Sequence, residues 1–248
     1  MKDRTFFLGW QDDQTHAWYP VGRLNALGSN DRYQFSYTKG ALKAEEQSGF
    51  KPLYDFPSFE TRYESSDLFP LFKNRIMTPN RRSFQEYLKL LDLEGMTPDP
   101  LEIVAIDGGY RATDSFQVFP KIEKESDGSF TSRFFLHGWR HVSKPAQERL
   151  NSLGPQEKLY VTIELNNPAT TTAVQLQTKD YHMIGWAPRY LVHDLMYAMT
   201  NSPGEISAKV LRFNEMPAPS KQRVLIELKG YLPEHYTPME EDDFVALA

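Results

Sequence analysis

Val161–Gln177 reads VTIELNNPATTTAVQLQ. Apolar and polar side chains alternate on both sides of an Asn-Asn-Pro break, and a period of two predicts two strands joined by a turn. Proline has no amide to donate and restricts the residue before it, so Pro168 belongs in a turn or at a strand edge. The side-chain amides of Asn166 and Asn167 can close such a turn on its own backbone. The same amides can donate to a phosphate or a sugar hydroxyl.

Working outward from this pair gives the plan of residues 131–233. RFFLHGWRHV before it reads as a strand, and SKPAQERLNSLGPQ as a short helix with Ser143 as N-cap, Leu150 and Leu153 on one face and Gly154 as the stop. After it, HMIGWAPRYLVHDLMYAM reads as strand, turn and second helix, and AKVLRFNE and QRVLIELKGYL as two more strands. The polar stretch KESDGSFTS, with Asp127-Gly128, marks a domain boundary near residue 130.

Residues 1 to about 60 read as β, with short aromatic runs and a hairpin turn at Asn30-Asp31. TPNRRSFQEYLKLLDLE follows as a helix, with Thr78 as N-cap, Pro79 at its first position, Gly95 at its end and Phe84, Tyr87, Leu88 and Leu91 on one face. DPLEIVAIDGGYRATDSFQVFPKIE reads as strand, glycine turn and strand. The fold class expected is α+β and mainly β, in two domains, 1–130 and 131–233, with 234–248 as an acidic solvated tail.

The 248 residues include no cysteine and no apolar run of membrane-spanning length, which excludes disulfides and thiolate metal sites and predicts a cytoplasmic protein with no membrane association. The formal net charge is −5, unevenly spread. Residues 131–231 carry 12 Lys and Arg against 8 Asp and Glu, whereas the last segment, PEHYTPMEEDDFVALA, carries five acids and no base. A polyanion would meet the middle of the chain and be repelled by its end.

Residues 133–231 resemble the HIRAN domain. That family shows a first strand ending in Gly-x-Arg-aromatic, a helix, a turn containing Asn-Pro, and a Gly-x-x-Pro-Arg segment leading into a second helix. The residues that carry the resemblance are Gly138, Arg140, His141, Asn166, Asn167, Pro168, Ala173, Gly185, Pro188 and Arg189. It implies an OB-like β-barrel with two helices. In fork-remodelling helicases the domain binds the 3′-hydroxyl end of single-stranded DNA. The implied DNA-binding residues here are Arg140, His141, Asn166, Asn167, Thr170, Trp186, Arg189 and Phe213, with Lys144 and Arg212 adding positive charge. The end-binding members have Tyr-Asp after Asn-Asn-Pro, the aspartate taking the hydroxyl and the tyrosine stacking. This chain has Ala169 and Thr170 instead, so the resemblance implies a groove for single-stranded or distorted DNA with weakened 3′-end specificity.

Residues 18–94 resemble the N-terminal subdomain of HipA-type toxin kinases through Val21, Gly22 and Leu24, the strand residues Tyr33, Phe35 and Tyr37, and Leu68, Pro70, Phe72 and Asn74. The kinase core is missing: there is no Gly-rich phosphate loop and no His-Arg-Asp pattern. The resemblance implies a bacterial defence or toxin-antitoxin setting. There the alternative to DNA binding is a protein-interaction role, with a kinase, nuclease or helicase as partner. No enzymatic activity, cofactor or metal is expected. His137 and His141 are four apart within a strand pattern and have no third ligand, IDGGYRATDS lacks the lysine of a phosphate loop, and no nucleophile–base pair stands out.

Overall fold

The computed structural model describes residues 3–28, 32–111 and 113–248. The Asn30-Asp31 turn expected from the sequence lies outside them. The chain is α+β, built on two antiparallel sheets, and divides into two compact units. The first comprises residues 1–84, 97–121 and 239–248, and the second residues 85–96 and 122–238. Among the described residues no helix is long and apolar enough to cross a membrane.

In the first unit, β1 (Arg4–Gln11), β2 (Trp18–Leu27), β3 (Arg32–Tyr37), β4 (Tyr63–Ser65) and β5 (Phe116–Pro120) pair in the order β4-β3-β2-β1-β5. Phe6, Leu8, Val21, Leu24, Phe35, Tyr37, Phe56 and Phe72 make its core, with the rings of Phe35 and Phe56 stacked at 4.0 Å. Burying aromatic surface of this kind supplies most of the driving force for a small unit.

Residues 1–60 are not all β. Lys39–Ser48 is a helix (α1), closed by Gly49 in the left-handed region. Its buried face is made of Gly40, Ala41 and Ala44. Two further helices lie along the chain, α2 (Pro70–Lys73) and α3 (Phe84–Leu90). α3 starts well after Thr78, whose carbonyl closes a turn with Arg81 instead, and ends before Gly95. Its apolar face is as expected: Phe84, Tyr87, Leu88 and Leu91 are all buried.

The expected strand PLEIVAID is also a helix, α4 (Pro100–Asp107). The Asp99 side chain accepts from the Leu101 amide at 2.7 Å, proline fills the first helical position, and Gly108 ends the helix in the left-handed region. A short run dominated by Leu101, Ile103, Val104, Ala105 and Ile106 satisfies either period, and these end signals decide for helix.

The acidic segment does not trail free. Leu247 N donates to Tyr37 O at 2.9 Å and Lys39 N to Val245 O at 2.9 Å. Asp242 and Asp243 pair with Lys39 and Lys43 of α1 at 2.6 and 2.8 Å, and Phe244 sets its ring edge-on against Phe7 at 4.9 Å.

The second unit contains β6 (Ser129–Phe135), α5 (Lys144–Leu150), β7 (Lys158–Asn167), β8 (Thr171–Gln177), β9 (Met183–Trp186), α6 (Val192–Asn201), β10 (Ser207–Phe213) and β11 (Val224–Tyr231). The opening pair is β7 and β8, antiparallel with Val161 opposite Leu176 and a bulge between Glu164 and Asn167. The sheet order is β6-β11-β10-β7-β8-β9. Leu159, Val174, Leu176, Val210, Ile226 and Leu228 are buried, and Lys158, Tyr160, Thr162 and Glu164 alternate with the apolar residues of β7.

The implied closed barrel is not formed as a continuous ladder. The chain beyond β6 runs through Leu136 to His137, which makes an isolated bridge with Trp186 at the end of β9. Two hydrogen bonds of 2.9 and 3.0 Å tie the two edges of the sheet. The strand expected through RFFLHGWRHV therefore stops at Phe135, and Trp139–His141 is a 3-10 turn.

Candidate nucleic-acid interface

The β7–β8 turn is closed by its own side chains. Asn167 Oδ1 accepts from the amides of Ala169 and Thr170 at 3.0 and 3.1 Å and from the Thr170 hydroxyl at 3.0 Å. Asn167 Nδ2 donates to Glu164 Oε2 at 2.9 Å. Asn167 is thus committed to the turn and Thr170 directs its hydroxyl at Asn167, while Asn166 stands exposed.

Glu164 joins this turn to β9, because its Oε2 also accepts the indole N–H of Trp186 at 2.7 Å. The hydrogen bond from Asn167 holds the Glu164 carboxyl below its ordinary value, burial opposes this, and the bonds from Trp186 and Gln175 reinforce it. The site therefore holds one ionised carboxylate whose hydrogen bonds fix the plane of the Trp186 ring.

Trp186 lies over Gly138. Gly138 adopts φ 67°, and a β-carbon there would come within 2.4 Å of the indole. Glycine is required twice, for the left-handed backbone and for the ring's approach. His137, beside it, is driven down to about 4 by burial and by the positive charges of Lys221 and Arg189. It is a neutral imidazole at ordinary pH.

Past Gly138 the 3-10 turn exposes Arg140 and His141 and turns Trp139 toward the β10–β11 connection, where its indole donates to Ser220 O at 2.8 Å. The Arg223 guanidinium lies 5.5 Å from the Trp139 ring and 5.6 Å from the Phe213 ring, within cation–π range of both. Arg223 is only 8% exposed. It donates to Asn214 O at 2.7 Å, and its Nε has no hydrogen-bond partner.

The structure thus connects Asn167, Thr170 and Trp186 through Glu164 and joins Trp186 to His137 by backbone hydrogen bonds, with Arg140 and His141 on the adjoining turn and Arg189 in the 3-10 turn that follows Pro188. Phe213 reaches the cluster through Arg223. Arg212 is drawn aside, since it bonds Asn214 at 3.1 Å and stands 3.9 Å from Asp92. Sequence reasoning missed Glu164, Trp139, Lys221 and Arg223. Only Glu164 left a signal, a carboxylate on the polar phase of β7 three residues before Asn167.

No family model matches the chain, and no curated protein matches it. Among solved structures it is similar to the crystal structure of a protein from Lactobacillus plantarum, at 19% identity over 42% of this chain and 97% of that one, with a TM-score of 0.31. It is also similar to the HIRAN domain of human HLTF, at 18% identity over 44% of this chain and 84% of that one, with a TM-score of 0.33.

Proposed function

We propose that residues 122–238 form a non-enzymatic module that binds single-stranded or distorted DNA, with Arg140, His141 and Arg189 on phosphates and the faces of Trp186 and Trp139 toward bases. The observation that supports this is the Trp186 indole, held by Glu164 and resting against Gly138, beside a turn that exposes Arg140 and His141. Positive potential beside a rigid aromatic face is the chemistry a single strand needs, since cations track the backbone while bases stack irrespective of sequence. Asn167 and Thr170 are occupied with each other, and Ala169 offers no ring. A free 3′-hydroxyl therefore finds no dedicated acceptor in this turn, which supports binding along a strand rather than at its end.

Fluorescence anisotropy with a short single strand, the same strand blocked at its 3′ end, and a duplex, each at two salt concentrations, tests this. The single strand should bind, and blocking should change affinity by less than about threefold, well under the roughly tenfold that corresponds to 1.4 kcal/mol. Arg140→Ala with Arg189→Ala should weaken binding and lower the salt slope by about 1.4, two phosphates at roughly 0.7 each. Undetectable binding, or binding indifferent to the double substitution, overturns the proposal.

A further inference from the structure

A second feature of the same sheet lies outside these residues. β10 and β7 pair only at Ala208–Leu159 and Lys209–Lys158. Beside this short ladder is an open groove of about 410 Å³, lined by Lys158, Lys179, Lys209 and Lys229 with Tyr160 and Glu227. Glu227 is 7% exposed. It meets Arg133 at 3.2 Å, Lys209 at 3.3 Å and Lys229 at 3.9 Å. Burial acts to raise its carboxyl, but the hydrogen bonds and charges of Lys209 and Arg133 outweigh that and hold it ionised below its ordinary value. One carboxylate therefore serves three cations. Lys158 and Lys179 add two more, and among the described residues neither forms an ion pair. Lys158 stands directly opposite Lys209 across the strands, and like charges in that relation destabilise a sheet.

Next to the lysines, Tyr160 and Tyr181 stack at 5.7 Å with ring planes 19° apart. They are 47% and 76% exposed. Tyr181 sits in the β8–β9 turn at φ 65°, a left-handed conformation that costs a bulky side chain about 1–2 kcal/mol. Packing in the interior does not account for that cost, because the ring is in water. The turn's own bonds, Tyr181 N to Thr178 O and Thr178 N to His182 O, place position 181 in that conformation but do not call for an aromatic ring there, and Lys209 has Glu227 at 3.3 Å while, among the described residues, Lys158 has no carboxylate partner.

The geometry points to a second binding surface on this sheet, a lysine groove capped by a tyrosine pair that takes the sugar-phosphate backbone of a single-stranded nucleic acid and stacks a base on the Tyr181–Tyr160 platform. It extends the proposed function in its class of ligand and rests on none of the residues of the first site. Tyr160 and Glu164 occupy the same face of β7, four residues or about 13 Å apart, so one strand a few nucleotides long can lie along both surfaces. Neutralising the facing lysines offsets their repulsion, and base stacking uses the exposed rings.

The test uses the full chain, an oligothymidylate of about 16 nucleotides, and three variants. These are Lys158→Ala with Lys179→Ala and Lys229→Ala, Tyr181→Asn, and Arg140→Ala with Arg189→Ala. The triple substitution should lower the salt slope by about 2, three phosphates at roughly 0.7 each. Asparagine tolerates the left-handed backbone, so Tyr181→Asn should leave the melting temperature level or higher while weakening binding by about fivefold or more. Photocrosslinking of a bromodeoxyuridine strand should map to Tyr160 or Tyr181. If the triple substitution changes neither slope nor affinity and no crosslink reaches either tyrosine, the groove is not a nucleic-acid surface. A slope that falls without a crosslink, with inorganic polyphosphate competing equally, means a bare polyanion occupant and overturns the strand. Failure of the first site alone would show as indifference to the Arg140/Arg189 pair while the lysine triple still acts.

Discussion

Gly138 and Glu164 show how single residues set the interface. Gly138→Ala imposes left-handed strain of about 1–2 kcal/mol and brings a β-carbon to 2.4 Å from the Trp186 ring, inside van der Waals contact. We expect a loss of at least about 2 kcal/mol in urea unfolding with a shift in tryptophan emission; an unchanged midpoint would contradict the close packing. Glu164 acts through charge. Its folded carboxyl titrates below its unfolded value, so its stabilisation is fully present above the unfolded pKa of about 4.3 and is lost as pH falls through the lower folded value. Glu164→Gln should therefore destabilise at pH 7 and cost progressively less toward pH 3, as read by unfolding midpoints at the two pH values. A constant difference would mean that the charge is not what matters.

At the scale of elements, legibility followed the source of each element's stability. β7 and β8 were readable from their period-two pattern, and β9, β10 and β11 from short apolar, β-branched and aromatic runs bounded by turns, although β11 is buried through five successive residues, Val224 to Leu228. α1 was not, because it docks by small residues: a β-carbon on Gly40 would fall 2.2 Å from the Pro20 carbonyl oxygen. Such a helix presents no apolar stripe, and its aromatic neighbours dominate the reading. α4 had the end signals, Asp99-Pro100 and Gly108, but its apolar run Ile103–Ile106 masked the helical period. The site divides in the same way. Gly138, Asn167, Trp186 and Arg189 stand in short contiguous motifs, whereas Trp139, Lys221 and Arg223 meet only through tertiary packing. The C-terminal segment is likewise held by pairing that no local pattern announces. Phe244→Ala should lower the stability of the first unit by about 2 kcal/mol, less than the roughly 3–5 of a fully buried aromatic, because Phe244 is half-buried. Thermal unfolding checks this, and an unaltered midpoint would show the segment to be loosely laid.

For the whole molecule, the net charge of −5 misleads as a guide to partners. The lysines and arginines of the second unit gather on particular surfaces, and at physiological salt a ligand senses charge only within about 8 Å. Local distribution therefore governs encounter, and the proposed DNA binding should be steeply salt-dependent despite the acidic total. The bridge between His137 and Trp186 has its own consequence. It staples the two edges of one sheet through a single isolated bridge, and two backbone hydrogen bonds contribute little by themselves. What secures the staple is the indole resting on Gly138 and anchored to Glu164. The ring offered to a ligand is also the rivet of the seam, so a base that tugged Trp186 out of place would begin to unzip the sheet. The interface can grip only by leaving that ring where it is.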